Sequence, residues 1–368
     1  MLAQGEVTSS PAETMLVGKI PVRNIWLLML YASDLFRMHA QAQVDLEANP
    51  DDLPDLVAEL LARMVERRLR RNLSFGYQPR DAVLHRVRGR VDLLTTERRQ
   101  LLFRGKVACS YEELTIDTPR NRYVRAALER IARLVKRRDL RQRVRTLAGT
   151  LGRMGVSSVC PTRQSLGADR LSQHDADDRY MLAAARLAFD LALPTEEMGH
   201  HALGIPERDA VWMRKLFEKA VAGFYKVCLS PQGWQVSAGK TLSWAIDAET
   251  PGIREILPTM VTDVVLDPPN GGRIVIDTKF TAIVTQGWRR EETLSSGYLY
   301  QMYAYLRSQV GRGDERADHA QGILLHPAID RPVDEIVTIQ GHPIRFATVD
   351  LAGGSGTIRQ RLIDLVHP

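Results

Sequence analysis

Apolar residues recur at helical spacing in several stretches of the N-terminal half. After Pro21 and Asn24, the run Ile25-Trp-Leu-Leu-Met-Leu-Tyr-Ala32 predicts a loop, an Asn24 cap and a largely buried helix. Leu53, Leu56, Val57, Leu60, Leu61 and Met64 predict a second helix, capped by Asp52 and ending in Arg67, Arg68, Arg70 and Arg71, where cations suit the helix dipole. Residues 84–116 read as short strands with Gly89 and Gly105 at turns. A third helix is expected from about Pro119 to Leu147, with Val124, Leu128, Ile131 and Val135 as its apolar stripe. Residues 165–178 are polar, and helix resumes over Tyr180–Ala192.

Pro194–Pro206, with two glycines, is the expected linker. Beyond it the texture becomes α/β: a helix around Val211–Val227, strands around Thr241–Asp247, Ile253–Leu266 and Arg273–Phe280, a helix over Tyr298–Val310, further strands and a last helix. The expected organisation is a loose lead-in over 1–18, an α+β N-terminal domain of helices and short strands over 19–195, and a C-terminal α/β domain over 196–368.

Composition narrows the class. The chain has 368 residues, 44% hydrophobic and 26% charged, which suits ordinary globular domains and excludes a disordered or collagenous chain. Three cysteines stand far apart, so neither a disulfide framework nor a cysteine zinc site is indicated. The N-terminal apolar run is too short to span a bilayer and no signal-peptide pattern precedes it, which leads to the expectation of a cytoplasmic protein with no membrane partner. The net charge of +6 is concentrated: Arg120 to Arg145 holds eleven Lys and Arg against Glu129 and Asp139. On a single helix, Arg133, Arg137 and Arg141 would share one basic face, open to three uses: binding the DNA backbone, docking an acidic partner, or solvation alone.

The chemistry-bearing stretch is Val261-Thr-Asp263-Val-Val-Leu-Asp-Pro-Pro-Asn-Gly-Gly-Arg-Ile-Val-Ile-Asp277-Thr278-Lys279-Phe. Two β-branched runs flank a turn, and symmetry about Asn270 sets Asp263 opposite Asp277. Opposed like charges destabilise a hairpin unless a cation lies between them. By strand alternation Asp277 and Lys279 share a face while Ile274, Ile276 and Thr278 turn to the core. Two hard carboxylates suit Mg²⁺ or Mn²⁺, and an ammonium can steady an attacking water and developing negative charge.

This D…D-x-K pattern resembles the PD-(D/E)xK nuclease fold, and Thr262 stands where that motif often has proline. The resemblance implies a C-terminal restriction-endonuclease-like domain with a mixed central sheet, Thr278 beside the two carboxylates at the metal, and Glu218 as an additional acidic residue on the preceding helix. It also extends to Gln301 and Tyr305, which repeat the Q-x-x-x-Y spacing of RecB-like nucleases and share a helical face.

With these motifs, Ile20-Pro-Val-Arg-Asn-Ile-Trp-Leu-Leu-Met-Leu-Tyr-Ala-Ser-Asp34, Arg88-Gly-Arg-Val-Asp92 and Thr118-Pro-Arg-Asn-Arg122 resemble blocks of the McrC family, nuclease components of McrBC-type modification-dependent restriction systems. That resemblance implies a Mg²⁺-dependent endonuclease cutting 5-methylcytosine double-stranded DNA with an AAA+ GTPase ring whose hydrolysis it stimulates, and it makes Arg120 and Arg122 candidates for the partner-facing surface. No G-x-x-x-x-G-K-[ST] loop occurs, so the chain is expected to bind no nucleotide itself, and Ala352-Gly-Gly-Ser-Gly-Thr357 reads as a loop before the last helix. The alternatives are a free-standing RecB-like repair nuclease and a non-catalytic DNA-binding or GTPase-activating adaptor. His200-His201 and His174-Asp-Ala-Asp-Asp178 read as surface or capping residues.

Overall fold

The structure is a computed structural model that describes residues 20–38, 52–169, 176–198, 207–286, 292–328 and 331–367. The lead-in, His174 and His200-His201 lie outside the described residues, as does 199–206 of the expected linker. Among the described residues no helix is long and apolar enough to cross a membrane.

The first described element is helix α1 (Val22–Ala32), and its start is set by Pro21 rather than by Asn24. Asn24 lies inside the helix, buried, and its amide donates to the carbonyls of Leu351 and Gly353 at 2.6 and 2.9 Å. The expected cap is therefore a long-range tie: a buried amide needs partners, and it finds them in the glycine-rich loop near the C-terminus.

Two compact units follow, Pro54–Ala192 and a second made of the first 53 residues with Leu193–Pro368. The expected division at 195/196 thus misplaces α1, which folds with the C-terminal unit.

The 54–192 unit holds α2 (Leu53–Arg70) and a three-stranded antiparallel sheet of β1 (Gly76–Leu84), β2 (Arg90–Val91) and β3 (Val107–Thr115), with β3 in the middle. Gly89 and Gly105 both take positive φ at turns, as expected, and Asp92 caps a short helix over Leu93–Arg98. The expected single basic helix is two: α3 (Pro119–Ile131) and α4 (Arg138–Arg153). Asp55 causes the break, accepting from the backbone N–H groups of Lys136 and Arg137 at 2.7 and 3.1 Å, while the Arg141 guanidinium closes on the Val135 carbonyl. Helix α5 (Ala176–Met198) runs on through Pro194.

In the other unit α6 (Glu207–Leu229) leads into a six-stranded mixed sheet. In chain order its strands are β4 (Gln235–Leu242), β5 (Met260–Asp267), β6 (Ile274–Thr278), β9 (Gln321–Pro327), β10 (Asp334–Ile339) and β11 (His342–Val349), and the spatial order is β10-β11-β9-β6-β5-β4. A ribbon of β7 (Val284–Gln286) and β8 (Glu292–Leu294) precedes α7 (Ser296–Arg307), and α8 (Ser355–Asp364) closes the chain. The β6 strand is antiparallel to β5 and parallel to β9, and all five of its residues are buried, as in a strand covered on both faces. It does not alternate core and solvent as expected.

Helix α6 packs on α1 so closely that a Cβ at Gly223 would lie 2.0 Å from the Tyr31 carbonyl oxygen. Gly223→Ala must force these helices apart and is expected to cost about 2 kcal/mol or more by overpacking. Gly149→Ala, at an exposed site in α4 where the new methyl meets only Arg153 at 3.6 Å, is expected to raise stability by up to about 1 kcal/mol. Thermal unfolding of both variants checks the pair; equal melting temperatures would refute the close crossing.

Candidate functional site

The β5–β6 register runs Leu266↔Ile274, Val265↔Val275 and Val264↔Ile276. Its next step sets Asp263 opposite Asp277, the pairing that a turn centred on Asn270 requires. Gly271 supplies the positive φ of that turn, and Asp267 with Arg273, joined at 2.7 and 3.0 Å, staples its base.

Asp277 is 1% exposed. Burial first, then the charge of Asp263, pushes its carboxyl up to about 6, against the pull of Lys279. The Lys279 ammonium lies 2.7 Å from Asp277 Oδ2 as an ion-pair partner, yet that oxygen has no donor in hydrogen-bonding geometry. Asp263 is held differently. Its Oδ2 accepts from both the backbone N–H and the hydroxyl of Thr278, each at 2.7 Å. Thr278, expected to turn into the core, spends its hydroxyl and amide donors on orienting Asp263.

Helix α7 completes the group. Gln301 accepts from the Lys279 ammonium at 3.1 Å and donates to the Tyr305 hydroxyl at 2.5 Å, which donates to the Val261 carbonyl at 2.8 Å. This chain links the lysine to the backbone two residues before Asp263. Glu218 on α6 is half-buried, and its carboxyl is raised by burial first, then by Asp263 and more weakly by Asp277. All seven candidate residues of this unit thus fall in one neighbourhood.

The sequence reading missed Tyr298 and His326. The Lys279 ammonium sits over the Tyr298 ring, 5.0 Å from its centroid, and the His326 ring lies 5.8 Å from Tyr298. His326 Nδ1 donates to the Thr281 carbonyl at 3.0 Å, and burial holds the imidazole down to about 4, so it is neutral. Tyr298 had a signal, lying three residues before Gln301 and seven before Tyr305 on one helical face. His326, inside an apolar strand, had none.

A divalent cation fits this donor set. Mg²⁺ is commonly held by one or two carboxylates and keeps several waters, so a third acid is not required. Asp263 and Asp277, opposed across the hairpin, are hard oxygen donors of the kind such a cation takes. No group of three or more His, Cys, Asp or Glu side chains poised for a metal occurs among the described residues.

The arginines expected on a DNA- or partner-binding face are mostly engaged within their own unit. Arg120 is 5% exposed; it grips Asp169 at 2.6 and 2.9 Å and Asp178, itself fully buried, at 3.3 Å. Asp178 also pairs with Arg68 at 3.0 Å, so it is a core anchor and not a surface or capping residue. Arg122 is bidentate to Asp117, and Arg137 bridges Glu59 and Asp139. Arg133 lies between α3 and α4, Arg137 is the cap position of α4 and Arg141 lies within it, so the three share no helical face.

Because the buried Asp277 favours its proton, its contribution to stability is present at low pH and is lost as pH rises through about 6, a cost on the order of 2–3 kcal/mol. Asp277→Asn is therefore expected to raise the melting temperature of the metal-free protein at pH 8 by about 5 °C, with the gain closing toward pH 4. A variant no more stable than the parent at pH 8 would contradict this burial argument.

Comparison with known proteins gives a consistent match. The family model described as McrBC 5-methylcytosine restriction system component matches residues 4–327, from α1 through β9. The Type IV methyl-directed restriction enzyme EcoKMcrBC of Escherichia coli strain K12 is 26% identical over 349 residues, covering 94% of this chain and 97% of that protein. Among solved structures, the half-complex from a tetradecameric assembly of Thermococcus gammatolerans McrB AAA+ hexamers with bound McrC aligns at 16% identity, with TM-score 0.41, over 85% of this chain and 68% of that one. The McrBC complex of the same organism aligns at 16% identity and TM-score 0.34 over 55% and 56%. With the family model spanning most of its length, the chain belongs to the McrBC 5-methylcytosine restriction system component family.

Proposed function

We propose that this chain is the nuclease subunit of a modification-dependent restriction system, a Mg²⁺- or Mn²⁺-dependent endonuclease that cuts 5-methylcytosine DNA together with an AAA+ GTPase whose hydrolysis it stimulates. The observation that carries the reading is the buried Asp277 facing Asp263 across one hairpin, with Lys279 beside it. Opposed strand carboxylates cost stability unless a cation or proton is shared there, and this arrangement supports a PD-(D/E)xK nuclease fold for the 193–368 unit.

Asp263 and Asp277 would hold the cation, which when bound supplies Lewis-acid polarisation of a phosphate and a water of lowered pKa. Thr278 fixes the direction of the Asp263 carboxylate. The Lys279 ammonium offsets charge developing on the phosphate oxygens and holds the attacking water in place. Glu218, with its raised affinity for a proton, is suited to accept one from that water. Gln301 and Tyr305 keep the ammonium aimed. Lys215 and Lys219, exposed on α6 near Glu218, suit contacts to the DNA backbone.

In the Thermococcus assemblies McrC is bound to McrB AAA+ hexamers, and a ring of that class is the partner proposed here. The docking surface best supported is the 86–104 region. Leu94 and Phe103 are 82% and 91% exposed there, with Val87, Leu93 and Leu102 also open, among the exposed Arg86, Arg88, Arg90, Arg98, Arg99 and Arg104. A large exposed apolar patch within basic residues is a binding surface by its chemistry. It replaces the expected α3–α4 face in that role.

The test is DNA cleavage measured beside partner-stimulated GTP hydrolysis. Asp263→Ala and Asp277→Ala are expected to lower cleavage at least about 1000-fold while GTPase stimulation persists. Retained cleavage would overturn the site assignment, and strong GTP-independent cleavage by the chain alone would favour the free-standing nuclease. Leu94→Asp with Phe103→Asp is expected to weaken partner binding about thirtyfold or more and leave the melting temperature within about 2 °C. Unchanged partner affinity would remove this patch from the interface.

A further inference from the structure

The lysine's surroundings hold one component that the proposed chemistry has not used. Tyr298, Gln301 and Tyr305 occupy one face of α7, and two of them touch the Lys279 ammonium directly: Gln301 through its carbonyl oxygen at 3.1 Å and Tyr298 through its ring at 5.0 Å. A cation within about 6 Å of an aromatic centroid is attracted to the ring face. The ammonium therefore has three kinds of partner, a carboxylate, an amide oxygen and a π face, set around it from β6 and α7.

The ring is itself fixed. Tyr298 packs against the buried cluster that includes Ile283, Met302 and Leu324. His326, buried on β9, stands 5.8 Å from it, tilted by 52°. The carbonyl that His326 holds belongs to Thr281, two residues past Lys279, so the same imidazole that backs the tyrosine also anchors the chain leaving the lysine. On the strand side, the Lys279 N–H donates to the Leu325 carbonyl at 2.9 Å, the residue before His326. Backbone, following loop and ammonium are thus all referenced to one point on β9.

Resting on the proposed nuclease reading, we infer that Tyr298 is a positioning residue for Lys279: its ring face, backed by His326, holds the ammonium beside Asp277. Without the ring, the ammonium keeps Asp277 and Gln301 but loses the π face that limits how far the four-carbon stem can swing. Tyr298 acts through its π system, not through its hydroxyl.

Two readouts test this. In the full-length metal-free protein carrying isotope-labelled lysine, the ring current should shift the Lys279 ε-methylene protons upfield at fixed pH. Tyr298→Leu should abolish that shift and Tyr298→Phe should restore it. In the complex with the cognate AAA+ GTPase and GTP, cleavage of methylated DNA should fall about threefold to thirtyfold in Tyr298→Leu and return in Tyr298→Phe. A series of increasingly fluorinated phenylalanines at position 298 should lower the rate stepwise at nearly constant shape, a trend that a purely packing role would not produce. Lys279→Ala separates the two levels of argument. If it retains full cleavage, the nuclease reading of the lysine fails. If it is inactive while Tyr298→Leu cuts at the parental rate, or while the fluorinated series is flat, only the role given to Tyr298 fails.

Discussion

A carboxylate that is almost fully buried and directly faces a second one is an expensive feature for a sheet, and much of the C-terminal unit is arranged around Asp277. Its strand is covered on both faces, so water cannot dissipate its charge. Lys279 offsets part of the cost, and burial still leaves the carboxyl raised to about 6. A group held in this way either keeps its proton or takes a cation.

The surrounding architecture supplies rigidity at that position. The staple between Asp267 and Arg273 fixes the hairpin register, so Asp263 arrives opposite Asp277 and not one residue away, where every side chain would change face. Helix α6 brings Glu218 to the same place, and its own placement depends on α1 through the close approach at Gly223. The N-terminal helix, far from the site in sequence, is thereby part of the scaffold that positions the acid. Asn24 adds a second tie from that helix to the loop before α8.

The hairpin was legible because its turn residues permit little else and the β-branched runs on either side count off the register. The shared face of Gln301 and Tyr305 was legible from helical spacing alone. The break between α3 and α4 was not: the apolar period continues from Ile131 to Val135, neither glycine nor proline marks the interruption, and the cause is Asp55, some eighty residues earlier. For the same reason the basic stretch read as one open face, when Arg120 is neutralised by Asp169 and Arg137 in part by Glu59, both far away in the chain. Asn24 misled through its type, since an asparagine near a helix start is most often a cap, and its carbonyl partners lie more than three hundred residues away. Long-range polar contacts leave no local pattern, whereas turns and periodicities do.

The opposed Asp263 and Asp277 are proposed to hold one divalent cation between them. Anomalous scattering from crystals of the full chain grown with Mn²⁺, with Mn²⁺ titration calorimetry on the parent and on Asp277→Asn, tests it most directly. A Mn²⁺ ion in contact with both carboxylates is expected, with an affinity lost by at least about tenfold in the variant. Manganese bound elsewhere, or an affinity that the substitution leaves unchanged, would contradict it.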